Sequence, residues 1–360
     1  MGKARPVDQS SVLPQATTAG IDNLSEAEED MRRKMMEVLL RQRTSLHGAA
    51  IVTVLFILIT VACFPTNASQ TGNNTLQQTY LPTVAKETAA TWPDVGSWVY
   101  QLTNYQNDRL DQIAGSNFAL AVVDLARDGS ADYFTPAEIA QVQASGKLVL
   151  AYFEIGAIEN YRPEWPLVPD DLKLGPVAGW PGEQYVKYWD PRWWPIVQGR
   201  VDQAIAAGFD GAYLDMVVTY EEIPANAAGT NRDDLARKMV ALIAQTSAYA
   251  KSMDPNFKIV PQNGPELHVW PGYLPAVDGL GMEELYYLAT DDPCHFNWCV
   301  VNRENAAIIG SSGKLVLTID YADRPANISD AYARARAAGF VPYASVVALD
   351  VMRVNPGLDP

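Results

Sequence analysis

From residue 92 onward, short apolar runs rich in β-branched residues alternate with longer amphipathic segments. This alternation is typical of βα units around a parallel sheet. It predicts eight strands, within Ser97–Leu102, Phe118–Asp124, Lys147–Glu154, Phe209–Asp215, Phe257–Gln262, Asp278–Leu285, Lys314–Asp320 and Phe340–Val346. Eight such units in about 260 residues fit one α/β domain, a single (β/α)8 TIM barrel over residues 92–355, better than a doubly wound sheet. No Gly-x-Gly-x-x-Gly motif follows any strand, which argues against dinucleotide binding.

The segments between the strands carry helix-boundary patterns. Thr135, followed by Pro136 and Glu138, predicts an N-cap with a proline and an acidic residue in the first turn. Periodic segments predict helices over Trp193–Ala207 and Arg232–Met253, and Trp193 and Trp194 are expected to pack in the outer helical layer. Four glycines are expected to cap helices just before a strand: Gly146, Gly208, Gly313 and Gly339.

Residues 160–194 follow the third strand as an insertion dense in Trp, Pro and Tyr, which we expect to be irregular. Loops on this side of a barrel strand build the active-site face. The insertion is therefore expected to border the cleft.

Three segments of different composition precede the barrel. Residues 1–47 are polar and end in a basic stretch, so they are expected to be a disordered cytoplasmic segment or the basic region of a signal peptide. Residues 48–64 are apolar and uncharged, at the short limit for a membrane-spanning helix and slightly longer than a usual signal core. Residues 65–91 are rich in Asn, Thr, Gln, Ser and Pro and predict a polar linker.

The apolar segment ends in Val61-Ala62-Cys63, which resembles a bacterial lipobox, so Cys63 is a candidate lipid anchor. An uncut signal-anchor helix, with an incidental Cys63, is the alternative. Because basic residues precede the apolar run and none directly follows it, both predict an extracytoplasmic barrel anchored to the cell membrane.

The chain is acidic, with a formal net charge of -15 and a pI near 4.6. This excludes nucleic acid as a partner, because no basic surface could neutralise phosphates. Two of the three cysteines, Cys294 and Cys299, lie close together and predict a disulfide in an oxidising compartment. A zinc site that includes His295 is the weaker alternative, since a second pair of ligands is missing.

Acidic side chains follow five of the predicted strands, with Gln262 and Asn263 after the fifth strand; the acidic residues are Asp124, Glu154, Asp215, Glu283 and Asp320. Chemistry in a barrel occurs at this carboxyl end of the strands. The chain has only three His, and no strand end offers a Ser–His or Cys–His pair, so triad hydrolysis is disfavoured. Clustered carboxylates can bind a divalent metal ion, or they can act as general acid and as base or nucleophile in the cleavage of a glycosidic bond. Glu284 would face away from the pocket if it continued the strand that carries Glu283.

Six motifs occur in order: AYFEIGAIENYR (151–162), YWDPRWW (188–194), GFDGAYLD (208–215), QNG (262–264), DGLGMEELYY (278–287) and LTIDYAD (317–323). Together they resemble glycoside hydrolase family 114, the endo-α-1,4-polygalactosaminidase-like barrels, over residues 92–355. The resemblance implies a glycosidase that cleaves α-1,4-linked galactosamine-containing exopolysaccharide without metal or cofactor. It implies Asp215 and Glu283 as the catalytic pair, and we expect Asp215 to act as nucleophile and Glu283 as general acid/base in a retaining route. A carboxyl separation of about 6.5–9.5 Å instead of about 5–5.5 Å would favour inversion.

The same resemblance implies a set of substrate-binding residues around the catalytic pair: Asp124, Tyr152, Glu154, Arg162, Trp189, Asp190, Asn263, Tyr286, Asp320 and Tyr321. Arg162 has an alternative role as an ion-pair partner of Glu154 or Glu159. The expected polysaccharide partner is polycationic if its amines are free, which suits an acidic cleft.

Three other functions remain open from the sequence. A hydrolase of the same fold can act on another glycan, and a sugar-binding barrel can lack catalysis. A metal-dependent deacetylase or phosphodiesterase is the third alternative.

Overall fold

The computed structural model describes residue 92 and residues 95–129 and 131–360. The predicted cytoplasmic or signal region, the apolar segment with Cys63 and the linker up to residue 91 lie outside the described residues. Within the described part, no helix combines the length and apolar composition that a membrane span requires.

Eight parallel strands form the centre of the fold, and each lies inside a predicted run: β1 Trp98–Tyr100, β2 Leu120–Asp124, β3 Leu148–Glu154, β4 Gly211–Asp215, β5 Lys258–Pro261, β6 Gly279–Glu283, β7 Leu315–Asp320 and β8 Val341–Ala344. Strands β1 to β5 pair in chain order in one sheet, and β6, β7 and β8 pair in a second sheet. A parallel bridge between Gln262 and Gly281 joins the sheets at one seam. At the other seam, the Trp98 indole donates to the Val341 carbonyl at 3.0 Å. The predicted barrel is therefore confirmed.

The helices within the described residues are α1 Asp111–Ala114, α2 Pro136–Gln143, α3 Trp194–Ala207, α4 Thr219–Glu222, α5 Arg232–Met253, α6 Tyr273–Ala276, α7 Asn297–Ser311 and α8 Pro325–Ala337. Short 3-10 turns lie at Gln106–Asp108, Arg127–Gly129, Trp165–Leu167, Asp170–Leu172 and Pro265–Val269. Further short strands lie at Ala157–Glu159, Lys173–Val177, Trp180–Val186, Tyr287–Leu288 and Asp292–Pro293.

The predicted helix boundaries are confirmed. Glu138 N donates to Thr135 Oγ1 at 3.4 Å, and Thr135 N donates back to Glu138 Oε2 at 2.8 Å, which completes a capping box. Trp193 is fully buried just before α3, and Trp194 packs edge-on against Tyr249 of α5. All four predicted cap glycines have positive φ: Gly146, Gly208, Gly313 and Gly339.

The expectation of an irregular insertion over residues 160–194 is wrong in part. The Trp180–Val186 strand pairs antiparallel with Ala157–Glu159, and Glu183 lies opposite Glu159. Pro181 and Gly182 open the segment, and such residues usually argue against a strand, so the sequence pattern was misleading here.

Aromatic rings fill the barrel interior beneath the carboxyl ends of the strands. Tyr100 lies 5.2 Å from Tyr213 between ring centroids, and Trp98 lies 5.9 Å from Tyr343. Trp98 and Tyr213 are also in contact, at 6.1 Å. These contacts join β1, β4 and β8, so the barrel is a packed core that supports side chains at its mouth.

Gly156 provides a test of how the mouth is positioned. A Cβ at this residue would lie 2.1 Å from the Met216 carbonyl oxygen and 2.4 Å from Thr219 Oγ1. We expect Gly156→Ala to lower the free energy of unfolding by about 1–3 kcal/mol, because the backbone after β4 must shift. Urea denaturation measures this loss.

Gly199→Ala is the matched control, since Gly199 is exposed in α3 and its Cβ would meet nothing within 4 Å. An alanine there should stabilise the helix by about 0.5–1 kcal/mol. The tight contact at Gly156 would be contradicted if both substitutions changed stability in the same direction and amount.

Candidate active site

Asp215 is the last residue of β4 and lies beside the end of β3. Tyr152 of β3 donates its hydroxyl to Asp215 Oδ2 at 2.6 Å, and Met216 N donates to Asp215 Oδ1 at 2.6 Å. Both bonds favour the ionised carboxylate. The residue keeps some exposed surface, so a substrate can reach it.

Glu283 is the last residue of β6 and accepts hydrogen bonds from three side chains. Gln262 and Asn263, after β5, donate to Glu283 Oε2, the latter at 3.2 Å, and Tyr321, after β7, donates to Oε1. Tyr100 donates to Gln262 Oε1 at 2.9 Å, so the amide nitrogen of Gln262 faces Glu283. Glu283 is therefore held from both neighbouring strands while it retains exposed surface.

Each of three consecutive strands is followed by a non-glycine residue whose backbone is in the left-handed conformation. Met216, Asn263 and Glu284 have φ of 56°, 61° and 55° and follow the ends of β4, β5 and β6. This conformation costs about 1–3 kcal/mol at such residues and is concentrated at functional sites. The turn at each strand end leaves its preceding side chain at the barrel mouth.

Tyr213 lies below both carboxylates, on the aromatic floor of the mouth. Its hydroxyl is buried and has no hydrogen-bond partner. The charges of Glu283 and Asp215 both raise its pKa, after burial, so all three groups are near one another. A Cβ on Gly281 would lie 1.9 Å from this hydroxyl, which explains the glycine in β6.

The two carboxylates titrate differently. Burial and then the charge of Asp215 raise the pKa of Glu283 to about 8, against the opposing bonds from Tyr321 and Asn263. Burial also raises the pKa of Asp215, but the hydrogen bonds from Tyr152 and Met216 oppose it. These environments favour the protonated form of Glu283 at neutral pH and make Asp215 the candidate for the ionised member of the pair.

Asp124 and Arg162, both predicted substrate ligands, are bound to each other. Arg162 Nη1 and Nη2 donate to the two oxygens of Asp124, each at 2.8 Å, and Arg162 Nε bonds to Glu159. Asp124 is 3% exposed and also accepts from Ala126 N. The alternative role of Arg162, as an ion-pair partner of Glu154 or Glu159, is confirmed for Glu159. Arg162 makes no hydrogen bond to Glu154.

Glu154 ends β3 in register with Asp215, and Glu183 lies on the inserted strand. Both are buried, at 2% and 6% exposure, and Glu154 Oε2 and Glu183 Oε1 have no hydrogen-bond partner. Burial and neighbouring acidic charges raise the pKa of each carboxyl well above its ordinary value. Glu183 was not among the predicted site residues.

Other predicted substrate ligands contact other parts of the protein. Asp190 bonds to Arg192 at the surface, and this bond lowers its pKa to about 2. Trp189 packs edge-on against Tyr188, at 5.0 Å between ring centroids. Neither contact involves the catalytic candidates, so substrate binding by this pair stays a prediction.

Asp320 is fully buried and accepts the backbone N–H groups of Tyr286 and Tyr287 at 2.7 and 2.9 Å. The Tyr286 ring lies under the Arg334 guanidinium at 4.4 Å, against α8. Asp320 therefore holds the backbone of the loop after β6, and its complete burial does not fit the predicted contact with substrate.

Glu284 faces elsewhere, as expected, but for a different reason. The chain is left-handed at this residue instead of extended, and its carboxylate accepts from Ala289 N at 2.7 Å.

The predicted disulfide between Cys294 and Cys299 is present, and it connects the loop after β6 to the start of α7. Among the described residues, no group of three or more His, Cys, Asp or Glu could hold a metal ion.

Sequence reasoning missed three contributors to the site. Tyr100 and Tyr213 looked like ordinary core residues. Tyr213 lies two residues before Asp215, which places both side chains on the same face of the strand, whereas Tyr100 has no polar residue two positions away. Glu183 follows Pro181 and Gly182, so no strand pattern drew attention to it.

Comparison with known proteins gives consistent matches. A family model described as glycoside-hydrolase family GH114 matches residues 81–357. An uncharacterized protein of Deinococcus radiodurans is 37% identical over 271 residues, which cover 72% of this chain and 83% of that protein. An uncharacterized protein of Thermotoga maritima is 34% identical over 287 residues, covering 73% and 85%.

Two solved structures share the fold. Aspergillus fumigatus Ega3 in complex with galactosamine superposes with a TM-score of 0.58 at 20% identity, covering 74% of this chain and 98% of that chain. The glycoside hydrolase domain of PelA from Pseudomonas aeruginosa gives a TM-score of 0.58 at 19% identity, covering 72% and 98%.

The contacts of Arg162 predict a structural penalty that an exposed arginine would not show. Arg162→Met leaves Asp124 and Glu159 without their cation inside the protein, so we expect a loss of about 3–5 kcal/mol in the free energy of unfolding at pH 7. The loss should shrink at acid pH, because protonation neutralises the buried Asp124 carboxyl, whose pKa burial already raises. Chemical denaturation at several pH values measures it.

Arg192→Met is the matched control, because Arg192 is half exposed in its pairs with Asp171 and Asp190. We expect at most about 1 kcal/mol from it. An equally small loss at Arg162, or one independent of pH, would contradict the structural role.

Proposed function

As the chain belongs to glycoside hydrolase family GH114, we propose that this glycosidase cleaves α-1,4-linked galactosamine-containing polysaccharide with Asp215 as nucleophile and Glu283 as general acid/base. The observation that carries the proposal is that two partly exposed carboxyls end β4 and β6 at the barrel mouth, where burial and the Asp215 charge raise the pKa of Glu283 to about 8. A glycosidase of this type needs one carboxylic acid and one carboxylate at the same bond.

In the first step Glu283 donates its proton to the glycosidic oxygen as that bond to the anomeric carbon breaks. Asp215 attacks the same carbon and forms a glycosyl ester. Glu283, now ionised, then takes a proton from water, and the resulting hydroxyl attacks the anomeric carbon and releases Asp215. Tyr152 and the Met216 N–H hold Asp215, while Gln262, Asn263 and Tyr321 hold Glu283.

Two observations support galactosamine as the sugar. The fold is shared with Ega3, whose structure was solved in complex with galactosamine. The mouth is rich in carboxylates, which pair well with amines. A panel of neutral and amino-bearing polysaccharides tests the choice, and preferential cleavage of a neutral glycan would overturn it.

We also propose an extracytoplasmic location, anchored through residues 48–64 or through a lipid on Cys63. The support is the apolar segment with its basic flank and the disulfide, which needs an oxidising compartment. Mass spectrometry of the native protein should find an N-terminus at Cys63 with added lipid mass, or an uncut chain that retains the apolar segment. A chain cut beyond Cys63 and recovered in the medium would contradict anchorage.

The roles of the carboxylates predict the effect of isosteric substitutions. Glu283→Gln should lower kcat on a polysaccharide by about 10²- to 10⁴-fold, because the leaving oxygen loses its acid. Asp215→Asn should remove detectable turnover, since an amide cannot form the glycosyl ester. Reducing-end release from partly deacetylated galactosamine polymer measures both, and proton NMR of the first product distinguishes retention from inversion. Glu304→Gln, at an exposed residue of α7, is the control.

The same roles set the pH profile. Activity should fall as pH rises through about 8, because Glu283 loses the proton that it must donate. It should also fall in acid as Asp215 becomes protonated at a pKa above its ordinary value. With an aryl glycoside whose leaving group needs no acid, the alkaline limb should disappear from the wild-type profile of kcat/KM while the acid limb remains. Equal activity of all variants, with binding intact, would refute catalysis by this pair.

A further inference from the structure

We infer that Tyr213 is a positioning residue for Glu283: its buried hydroxyl becomes a fourth side-chain donor to this carboxylate when Glu283 gives up its proton. The inference rests on the proposed function in taking Glu283 as the acid. It assigns a role to a buried hydroxyl that the two-step cleavage does not otherwise use.

The Tyr213 hydroxyl lies against β6, below the carboxyl of Glu283. A Cβ on Gly281 would lie 1.9 Å from the hydroxyl oxygen. Gly281 and Glu283 are two residues apart in β6, so they share the inward face, and Glu283 is the nearer to the mouth. Tyr213 itself lies in β4, two residues before Asp215. Its phenol therefore reaches past β5 to the strand that carries the acid.

This placement is unfavourable unless the hydroxyl gains a partner. The side chain of Tyr213 is fully buried, and its hydroxyl has no hydrogen-bond partner among the described residues. A buried hydroxyl without a partner destabilises a fold. A phenylalanine would pack in the same space without that cost, so packing alone does not account for a tyrosine at this position.

The acceptor sites of Glu283 explain why the Tyr213 hydroxyl is left over. An ionised carboxylate offers about four lone-pair sites on its two oxygens. Gln262 and Asn263 donate to Oε2, and Tyr321 donates to Oε1. In the protonated acid the proton occupies the fourth site, on Oε1, so no site is open to Tyr213. When the proton leaves, Oε1 can accept a second hydrogen bond.

Glu283 is the partner that moves to form this bond. The Tyr213 ring packs against Tyr100 and Trp98, at 5.2 and 6.1 Å between ring centroids. Glu283 keeps exposed surface at the mouth, and its side chain has several rotatable bonds. The hydroxyl hydrogen of Tyr213 turns to suit its acceptor. A small movement of the carboxylate toward a fixed ring therefore completes the contact.

The additional donor changes the acidity of Glu283. Burial and then the charge of Asp215 raise the pKa of Glu283 to about 8. A hydrogen bond to the ionised form of a carboxyl lowers its pKa. Glu283 therefore releases its proton to the glycosidic oxygen more readily with Tyr213 beneath it. The other titratable groups that face Glu283 or Tyr213 are Tyr100, Asp215, Glu284 and Tyr321.

The test compares Tyr213→Phe with Tyr273→Phe in the full chain. Tyr273 is the matched control, because it is also fully buried and its hydroxyl also has no hydrogen-bond partner among the described residues, but it lies near Glu266. Carbon NMR of protein labelled at the glutamate carboxyls follows the titration of Glu283, and Glu283→Gln identifies the signal. Activity is measured on the polysaccharide and on an aryl glycoside whose leaving group needs no acid.

Tyr213→Phe should move the midpoint of the Glu283 titration to higher pH by about one to two pH units, the effect of losing a hydrogen bond to a charged group. The alkaline limb on the polysaccharide should move with it. Because the acid is weaker, kcat/KM on the polysaccharide at neutral pH should fall by about 3- to 10-fold, while kcat/KM on the aryl glycoside stays unchanged.

Thermal unfolding should show Tyr213→Phe at least as stable as wild type, because a buried hydroxyl without a partner has been removed. Tyr273→Phe should share this gain in stability for the same reason. Its Glu283 titration and its activity on both substrates should match those of wild type.

The inference is overturned if the Glu283 titration stays unchanged or moves to lower pH in Tyr213→Phe, or if Tyr273→Phe moves it by the same amount. It is also overturned if both substrates lose activity equally, or if Tyr213→Phe is less stable than wild type. A wild type that releases no reducing ends, although Tyr213→Phe moves the titration as expected, would overturn the proposed function alone. Cleavage that needs both carboxylates, with a titration insensitive to Tyr213→Phe, would overturn the role of Tyr213 alone.

Discussion

The mouth of this barrel depends on the burial of two carboxyl groups close enough to affect each other's charge. Asp215 and Glu283 share a poorly solvated space, so ionising both at once is unfavourable. Both carboxyls accept hydrogen bonds, Asp215 from a tyrosine and a backbone N–H, and Glu283 from Gln262, Asn263 and Tyr321. Burial and the Asp215 charge nevertheless raise the pKa of Glu283 to about 8, so Glu283 is the member of the pair that favours a proton at neutral pH.

The fold below the mouth keeps this pair in place. The aromatic floor of Trp98, Tyr100 and Tyr213 excludes water from beneath the carboxyls, and Tyr100 orients the amide of Gln262. Left-handed turns at three successive strand ends fix the directions of the functional side chains. The cost of these turns, about 1–3 kcal/mol each, is met by a core that buries all eight strands.

Strand positions could be predicted because β-branched runs bounded by glycine give a local pattern that barrel packing reinforces. The same pattern placed Asp215 and Glu283 among five acidic residues at or near the ends of such runs, and the resemblance to glycoside hydrolase family 114 singled out this pair. Asp124 looked equivalent to them, but its partner Arg162 lies 38 residues away, and no local pattern reports that ion pair. Asp320 differs from the catalytic candidates only by its complete burial, which is a property of the folded chain.

The distribution of the buried arginines separates two kinds of acidic residue. Arg162 neutralises Asp124 and Glu159, where a fixed charge pair stabilises the loop after β3. Glu154 and Glu183 are at most 6% exposed and form no ion pair with Lys, Arg or His among the described residues. Burial and neighbouring acidic charges raise the pKa of Glu154 and Glu183 well above its ordinary value. The fold therefore neutralises buried acidic residues in two ways, by pairing with arginine or by retention of a proton.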